Sequence, residues 1–159
     1  MDRSYSRRRV GARGFSLIEL LIVIAIILVI IGIALPRFNI AQMSARELAV
    51  QNEVRTINTA QVQYQSQFGR YATSMAELGP PASGAPGPAG ADLIQASLAS
   101  GDKDQYQFTL TATQQGYSLV ATPKVFNSSG RKSFYTDQTM TIRESMGADP
   151  ANATSPEIK

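Results

Sequence analysis

Glu19 is the residue whose chemistry is most at odds with its surroundings. From Leu20 to Leu35 every side chain is apolar or glycine, and counting back to Phe15 gives 21 residues interrupted only by Ser16 and Glu19. A carboxylate in such a run is costly unless it is paired or hydrogen-bonded. Two partners are at hand. The first is the amino end of its own helix, whose dipole favours an acid in the first turn. The second arises only if the chain is cut before Phe15. The new α-amino group then lies four residues from Glu19, on the same helical face. Other chemistry is excluded by composition. The 159 residues contain no Cys and no His, so thiolate nucleophiles, imidazole bases and Cys- or His-ligated metal sites are all impossible. No carboxylate pair or Ser-Lys dyad stands out as an enzyme site.

The elements around Glu19 follow from the charge pattern. Lys and Arg outnumber Asp and Glu by 15 to 12. Arg3, Arg7, Arg8, Arg9 and Arg13 against Asp2 place +4 on residues 1–14 and leave a net of −1 on the other 145. The basic balance therefore belongs to a leader, and a basic nucleic-acid-binding body is not supported. The apolar run is long enough to cross a bilayer as a helix. The thirteen Ile, Leu and Val residues of Leu20–Leu35 favour insertion by roughly 4–8 kcal/mol, against about 2.5–3.5 kcal/mol for Glu19. The arginines before it predict a cytoplasmic N-terminus. A secretory signal has an apolar core of about 7–15 residues and a small-residue cleavage site. Here the core is longer and Leu35-Pro36-Arg37-Phe38 follows it, so the block is expected to be retained.

The segment Arg13-Gly14-Phe15-Ser16-Leu17-Ile18-Glu19-Leu20 resembles the class III signal of type IV pilins and of the related type II secretion pseudopilins. The resemblance implies that a prepilin peptidase cuts between Gly14 and Phe15 and that Phe15 becomes the N-methylated terminus. It also implies that Glu19 guides subunit docking against Phe15, and that Gly32 and Pro36 are helix-loosening positions. Proline removes a backbone donor and crowds the preceding turn, and glycine weakens the same region; melting and a simple kink remain equally open. No catalytic, cofactor or metal residue is implied. The implied partners are the peptidase, the inner membrane, an assembly platform with its ATPase, and further copies of the chain in a helical homopolymer. A pseudopilin of a type II secretion system is the alternative within the family, and a bitopic membrane-anchored binding module that never polymerises is the alternative outside it.

The remainder of the chain reads as stalk and head. Val50, Val54, Ile57, Tyr64 and Phe68 fall at helical spacing, so one helix is expected from Phe15 to about Gln67, about 80 Å long at 1.5 Å per residue, ending at Gly69 as a left-handed cap. Residues 79–90 hold four of the eight prolines and four of the twelve glycines and should form a surface loop. A short helical piece is expected over 91–98. Alternation at Tyr106, Phe108 and Leu110 and again at Tyr117, Leu119 and Ala121 predicts a hairpin, followed by strands over 132–136 and 139–143. The expected fold is α+β, the pilin fold: a long N-terminal helix packed on a four-stranded antiparallel sheet. Its parts are a leader (1–14), a transmembrane and filament-core helix (15–36), an amphipathic helix (37–68), a head (69–146) and a floppy tail (147–159). The resemblance also brings two questions. Many pilins close the C-terminal loop with a disulfide, which this chain cannot form. Major pseudopilins bind calcium through C-terminal acids, and Asp137, Glu144, Asp102 and Asp104 make a doubtful cage. Lys124, Arg131 and Lys132 could form a DNA-binding patch, although three exposed charges more often make a solvated surface.

Overall fold

A computed structural model describes residues 14–113 and 115–158; the arginines of the leader and Gln114 of the expected turn lie outside the described residues. The chain divides into two compact units at Phe38/Asn39. Helix α1 (Leu17–Phe68) contributes to both. In the first unit its large side chains, from Leu17 to Phe38, are all well exposed. It is the one helix among the described residues long and apolar enough to cross a membrane.

In the second unit the same helix is one-sided. Val50, Val54, Ile57, Ala60 and Tyr64 are buried, while Asn52, Arg55, Thr59, Gln63 and Gln67 face outward, as the 3.6-residue period requires. Gly69 ends the helix at φ 71°, with its N–H donating to the Gln65 carbonyl at 2.8 Å. Its left-handed backbone is cheap only for glycine.

Against the apolar stripe packs an antiparallel sheet in the order β1 (Asp102–Lys103), β2 (Tyr106–Ala112), β3 (Tyr117–Pro123), β4 (Lys132–Asp137), β5 (Arg143–Met146). Tyr106, Phe108, Leu119, Ala121 and Phe134 point from it into the core, where Leu78, Ile94 and Leu98 join them. The class is thus the expected α+β, with five strands rather than four. The extra strand β1 arises because Asp104 and Gln105 both take positive φ, 53° and 63°, between the paired residues Lys103 and Tyr106. Two left-handed residues make the tight hairpin turn normally signalled by Asn-Gly, and Asp-Gln does not carry that signal.

Three further expectations are corrected. The helix expected over 91–98 is confined to α3 (Ala96–Ala99). Asp92 has φ 55°, and the amides of Ala91, Asp92, Leu93 and Ile94 donate to the carbonyls of Glu77, Gly79 and Leu78, at the end of a short helix α2 (Met75–Leu78). The last strand is displaced from 139–143 to Arg143–Met146. Asp137 Oδ1 accepts from the Thr139 amide (2.9 Å) and hydroxyl (2.6 Å), and Met140 adopts φ 60°, so the chain turns where a strand was expected to begin.

Residues 147–158 form no floppy tail. The Ala151 N–H donates to Ser133 Oγ at 2.8 Å, and Ser133 Oγ donates to the Asp149 carbonyl at 3.2 Å. The amides of Glu144 and Ile158 reach the carbonyls of Pro156 and Ile142, and Arg143 grips both the Ser155 carbonyl and Glu157. Ala151 and Ser155 are buried. These bonds close the C-terminal loop without a disulfide.

Ile57 is fully buried and Gln63 is exposed. Thermal or chemical unfolding of the full chain in detergent should show Ile57→Ala losing about 2–5 kcal/mol, through lost transfer energy and an unfilled cavity. Gln63→Ala should stay within about 0.5 kcal/mol of the parent.

Candidate functional site: the helix start and the polar clamps of the head

Gly14, Phe15 and Ser16 precede α1 without regular secondary structure and are exposed, Phe15 at 84%. The Gly14–Phe15 bond thus lies outside regular secondary structure. Helix α1 then begins at Leu17, two residues later than expected. The Ser16 N–H donates to Glu19 Oε2 at 2.9 Å, and the Leu20 N–H donates to the Ser16 carbonyl at 3.2 Å. This is the carboxylate half of a capping box: an acid three residues into the helix reaches back to the residue before it. In the uncut chain Glu19 is therefore satisfied by its own helix start, where the dipole also favours it.

That single bond leaves most of the carboxylate's acceptor capacity unused. An ammonium group created at Phe15 would appear one residue from the amide that Glu19 already holds. The structure thus brings Gly14, Phe15 and Glu19 together at one helix end. It does not bring Gly32 or Pro36 to that end. Helix α1 runs through both positions, and a Cβ on Gly32 would meet nothing within 4 Å, so no packing in the single chain requires glycine there.

The head is fixed to α1 by buried polar groups that the sequence pattern gave no reason to place inside. The Gln61 side chain forms a two-way clamp with Ala72: its Nε2 donates to the carbonyl at 3.0 Å and its Oε1 accepts from the N–H at 2.9 Å. Asn58 donates to the Thr136 hydroxyl at 3.0 Å and accepts from Tyr117 Oη at 2.9 Å. Glu47 accepts the Arg131 N–H at 2.7 Å. Burial, with the charge of Glu47 adding to it, pushes the Tyr106 phenol above its usual range. Burial does the same to Tyr117, helped by Tyr71 and Asp137.

After the helix, Glu77 gathers the turn. It accepts from the Arg70 guanidinium at 2.9 Å, the Thr73 N–H and hydroxyl at 3.0 Å each, and Tyr64 Oη at 3.1 Å. Burial alone would raise its carboxyl; these four donors outweigh burial and hold it below the usual glutamate range. Arg70 also lies over the Tyr64 ring, 5.2 Å from its centroid, in cation–π geometry.

The basic patch considered from sequence is largely neutralised: Lys124 pairs with Asp102, and Lys132 with Glu144 at 2.8 Å. Arg131 has a buried Nε without a hydrogen-bond partner among the described residues. Asp137 accepts from the Thr139 amide and hydroxyl at the surface, and no group of three acids able to hold a metal occurs among the described residues.

Residues 9–35 match a family model described as the prokaryotic N-terminal methylation motif. The chain is also 37% identical over 67 residues to the Type IV major pilin protein PilA of Myxococcus xanthus (strain DK1622), a match covering 42% of this chain and 30% of that protein. No solved structure matches the chain significantly. The fold class, the methylation motif and this similarity together make the chain type IV pilin-like. The match is confined to less than a third of the relative's length.

Because the folded carboxyl of Glu77 lies below its unfolded value, its contribution to stability is present above the unfolded pKa and is lost as pH falls through the folded one. Glu77→Gln should unfold at lower temperature at pH 7. The gap between it and the parent should narrow as the pH is lowered below the usual glutamate range, measured by circular dichroism of the full chain in detergent.

Proposed function

We propose that this protein is the structural subunit of a type IV pilus. A prepilin peptidase removes residues 1–14, the Phe15 amine is N-methylated, and the helix over 15–36 holds the subunit in the inner membrane with its head outside. An assembly platform with its ATPase then transfers it into an extracellular helical fibre. Adhesion, motility and DNA uptake are the uses open to such a fibre. The observation that carries the reading is the exposed Gly14–Phe15 bond immediately before a helix whose acid, Glu19, caps that same end.

The physics of each step follows from residues already placed. Removing the leader discards its five arginines, which would otherwise resist withdrawal from the cytoplasmic face. The large side chains of the apolar half of α1 are exposed among the described residues, so it needs lipid or other copies of itself. Repeating one head-to-tail contact that does not close gives an open helical fibre. Inside such a fibre a lone Glu19 is expensive, and the methylated amine of Phe15 on a neighbouring subunit satisfies it and sets the register. The work is packing rather than catalysis.

Two experiments test this. Mass spectrometry of the subunit from sheared surface fibres should find Phe15 as the N-terminus, heavier by one methyl group; a subunit beginning at Met1 would contradict the proposal. Glu19→Ala should still insert in the membrane fraction while its fibre yield falls at least tenfold. Normal yield would sink the role given to Glu19.

A further inference from the structure

The β3–β4 loop is unusual for a connection in a soluble head. It shows two large apolar side chains to solvent, Val125 at 58% and Phe126 at 45% exposure, yet it is firmly built. The amides of Ser128 and Ser129 donate to the Val125 carbonyl, Asn127 N–H donates to Gly130 at 2.9 Å, and the Lys124 amide reaches Gln105. Gly130 cannot be replaced without moving Tyr106, whose hydroxyl would run into a Cβ there. The loop therefore holds its apolar tip out, where a loose loop would fold it away.

Beside it lies a polar groove of about 300 Å³ lined by Asn39, Gln42, Arg46, Gln105, Asn127 and Ser128, together with Met43. Arg46 spans it, donating weakly to the Ser128 carbonyl at 3.4 Å and to Gln42 Oε1 at 3.3 Å. No carboxylate comes within ion-pair distance of it among the described residues. Glu47, the next residue along the helix, is committed to the Arg131 amide. An underused guanidinium flanked by amide side chains is suited to a phosphate oxygen. Covalent reach supplies the location. Asn39 stands four residues after Leu35, the end of the apolar run, so at most about 14 Å of extended backbone separates them.

We propose that this loop and groove form a lipid-docking surface for the membrane-held subunit: Val125 and Phe126 enter the boundary between headgroups and acyl chains, and Arg46 takes a phospholipid phosphate. An exposed aromatic and aliphatic pair beside a cation is the arrangement that interfacial segments use. The inference rests on the reading that residues 15–36 lie in the bilayer. It adds a second, weaker attachment for the head, which the subunit must release on entering a fibre.

The chain has no cysteine, so single labels can be placed at will. The full chain in phosphatidylethanolamine/phosphatidylglycerol vesicles is labelled with a polarity-sensitive fluorophore at Val125→Cys, at Ile26→Cys in the apolar run, or at Thr109→Cys on the exposed strand face. It is then probed with lipid-borne quenchers. The labels at 26 and 125 should be quenched and that at 109 should not. Adding Arg46→Gln should cut quenching at 125 at least threefold while leaving 26 unchanged, and excess inorganic phosphate should have no effect. A label at 125 that stays in water while 26 is quenched overturns the docking surface and leaves the membrane reading standing. Loss of quenching at both 26 and 125 overturns the two together. Undiminished quenching at 125 in the Arg46→Gln variant removes the phosphate contact, and release by inorganic phosphate would assign the groove to a free anion instead. Shielding at 125 that grows with protein density at fixed lipid would assign the loop to a second copy of the chain.

Discussion

One helix in this protein must satisfy two different surroundings. Over Leu20–Leu35 the side chains are apolar on every side, which only lipid or a bundle of similar helices can accommodate. Over Val50–Tyr64 the apolar residues, Val62 excepted, fall on one side, and a sheet covers them. A fully apolar stretch cannot be hidden by the small head, and a one-sided stretch cannot remain alone in water. The remaining features serve this division: the acid that starts the helix, the glycine that ends it, and the polar clamps that tie it to the head.

Those clamps explain how the sheet keeps a fixed position on the helix. Apolar packing of Val54, Ile57 and Phe134 is non-directional and tolerates sliding. Gln61 with Ala72, and Asn58 with Tyr117 and Thr136, do not. A slip of one residue would leave buried donors and acceptors unpaired, each costing roughly 1–3 kcal/mol. Directional bonds therefore select one register from several of similar apolar burial.

The same distinction separates what could be read in the sequence from what could not. The stripe at Val50, Val54, Ile57 and Tyr64, the cap at Gly69 and the β2–β3 hairpin were legible, since each is a local pattern with a local cause. Asn58, Gln61 and Glu47 were not, because a polar residue on a helix reads as solvated until its distant partner is known. The strand β1 depends on positive φ at Asp104 and Gln105, which neither residue type announces. The C-terminal segment reads as disordered by composition, and what orders it is contact with Ser133, Ile142 and Arg143, far from it in spacing or hidden in pattern. At the functional end, the exposed Gly14–Phe15 junction and the position of Glu19 were accessible from residue type and spacing. The bond from the Ser16 amide to Glu19 shows the acid capping the start of its own helix.

The C-terminal segment has a consequence for solubility. A five-stranded sheet has two edges, and each is a template on which another chain could add a strand. On one side β1 pairs only with Tyr106 and Gln107 of β2, so the outer edge of β2 over Thr109–Ala112 carries no partner strand among the described residues. On the other, the Glu144 amide donates to the Pro156 carbonyl and the Ile158 amide to the Ile142 carbonyl, and Arg143 pairs with Glu157. Strand addition is therefore blocked at the β5 edge, and a protein that carries so much exposed apolar surface has one of its two routes to β-aggregation closed.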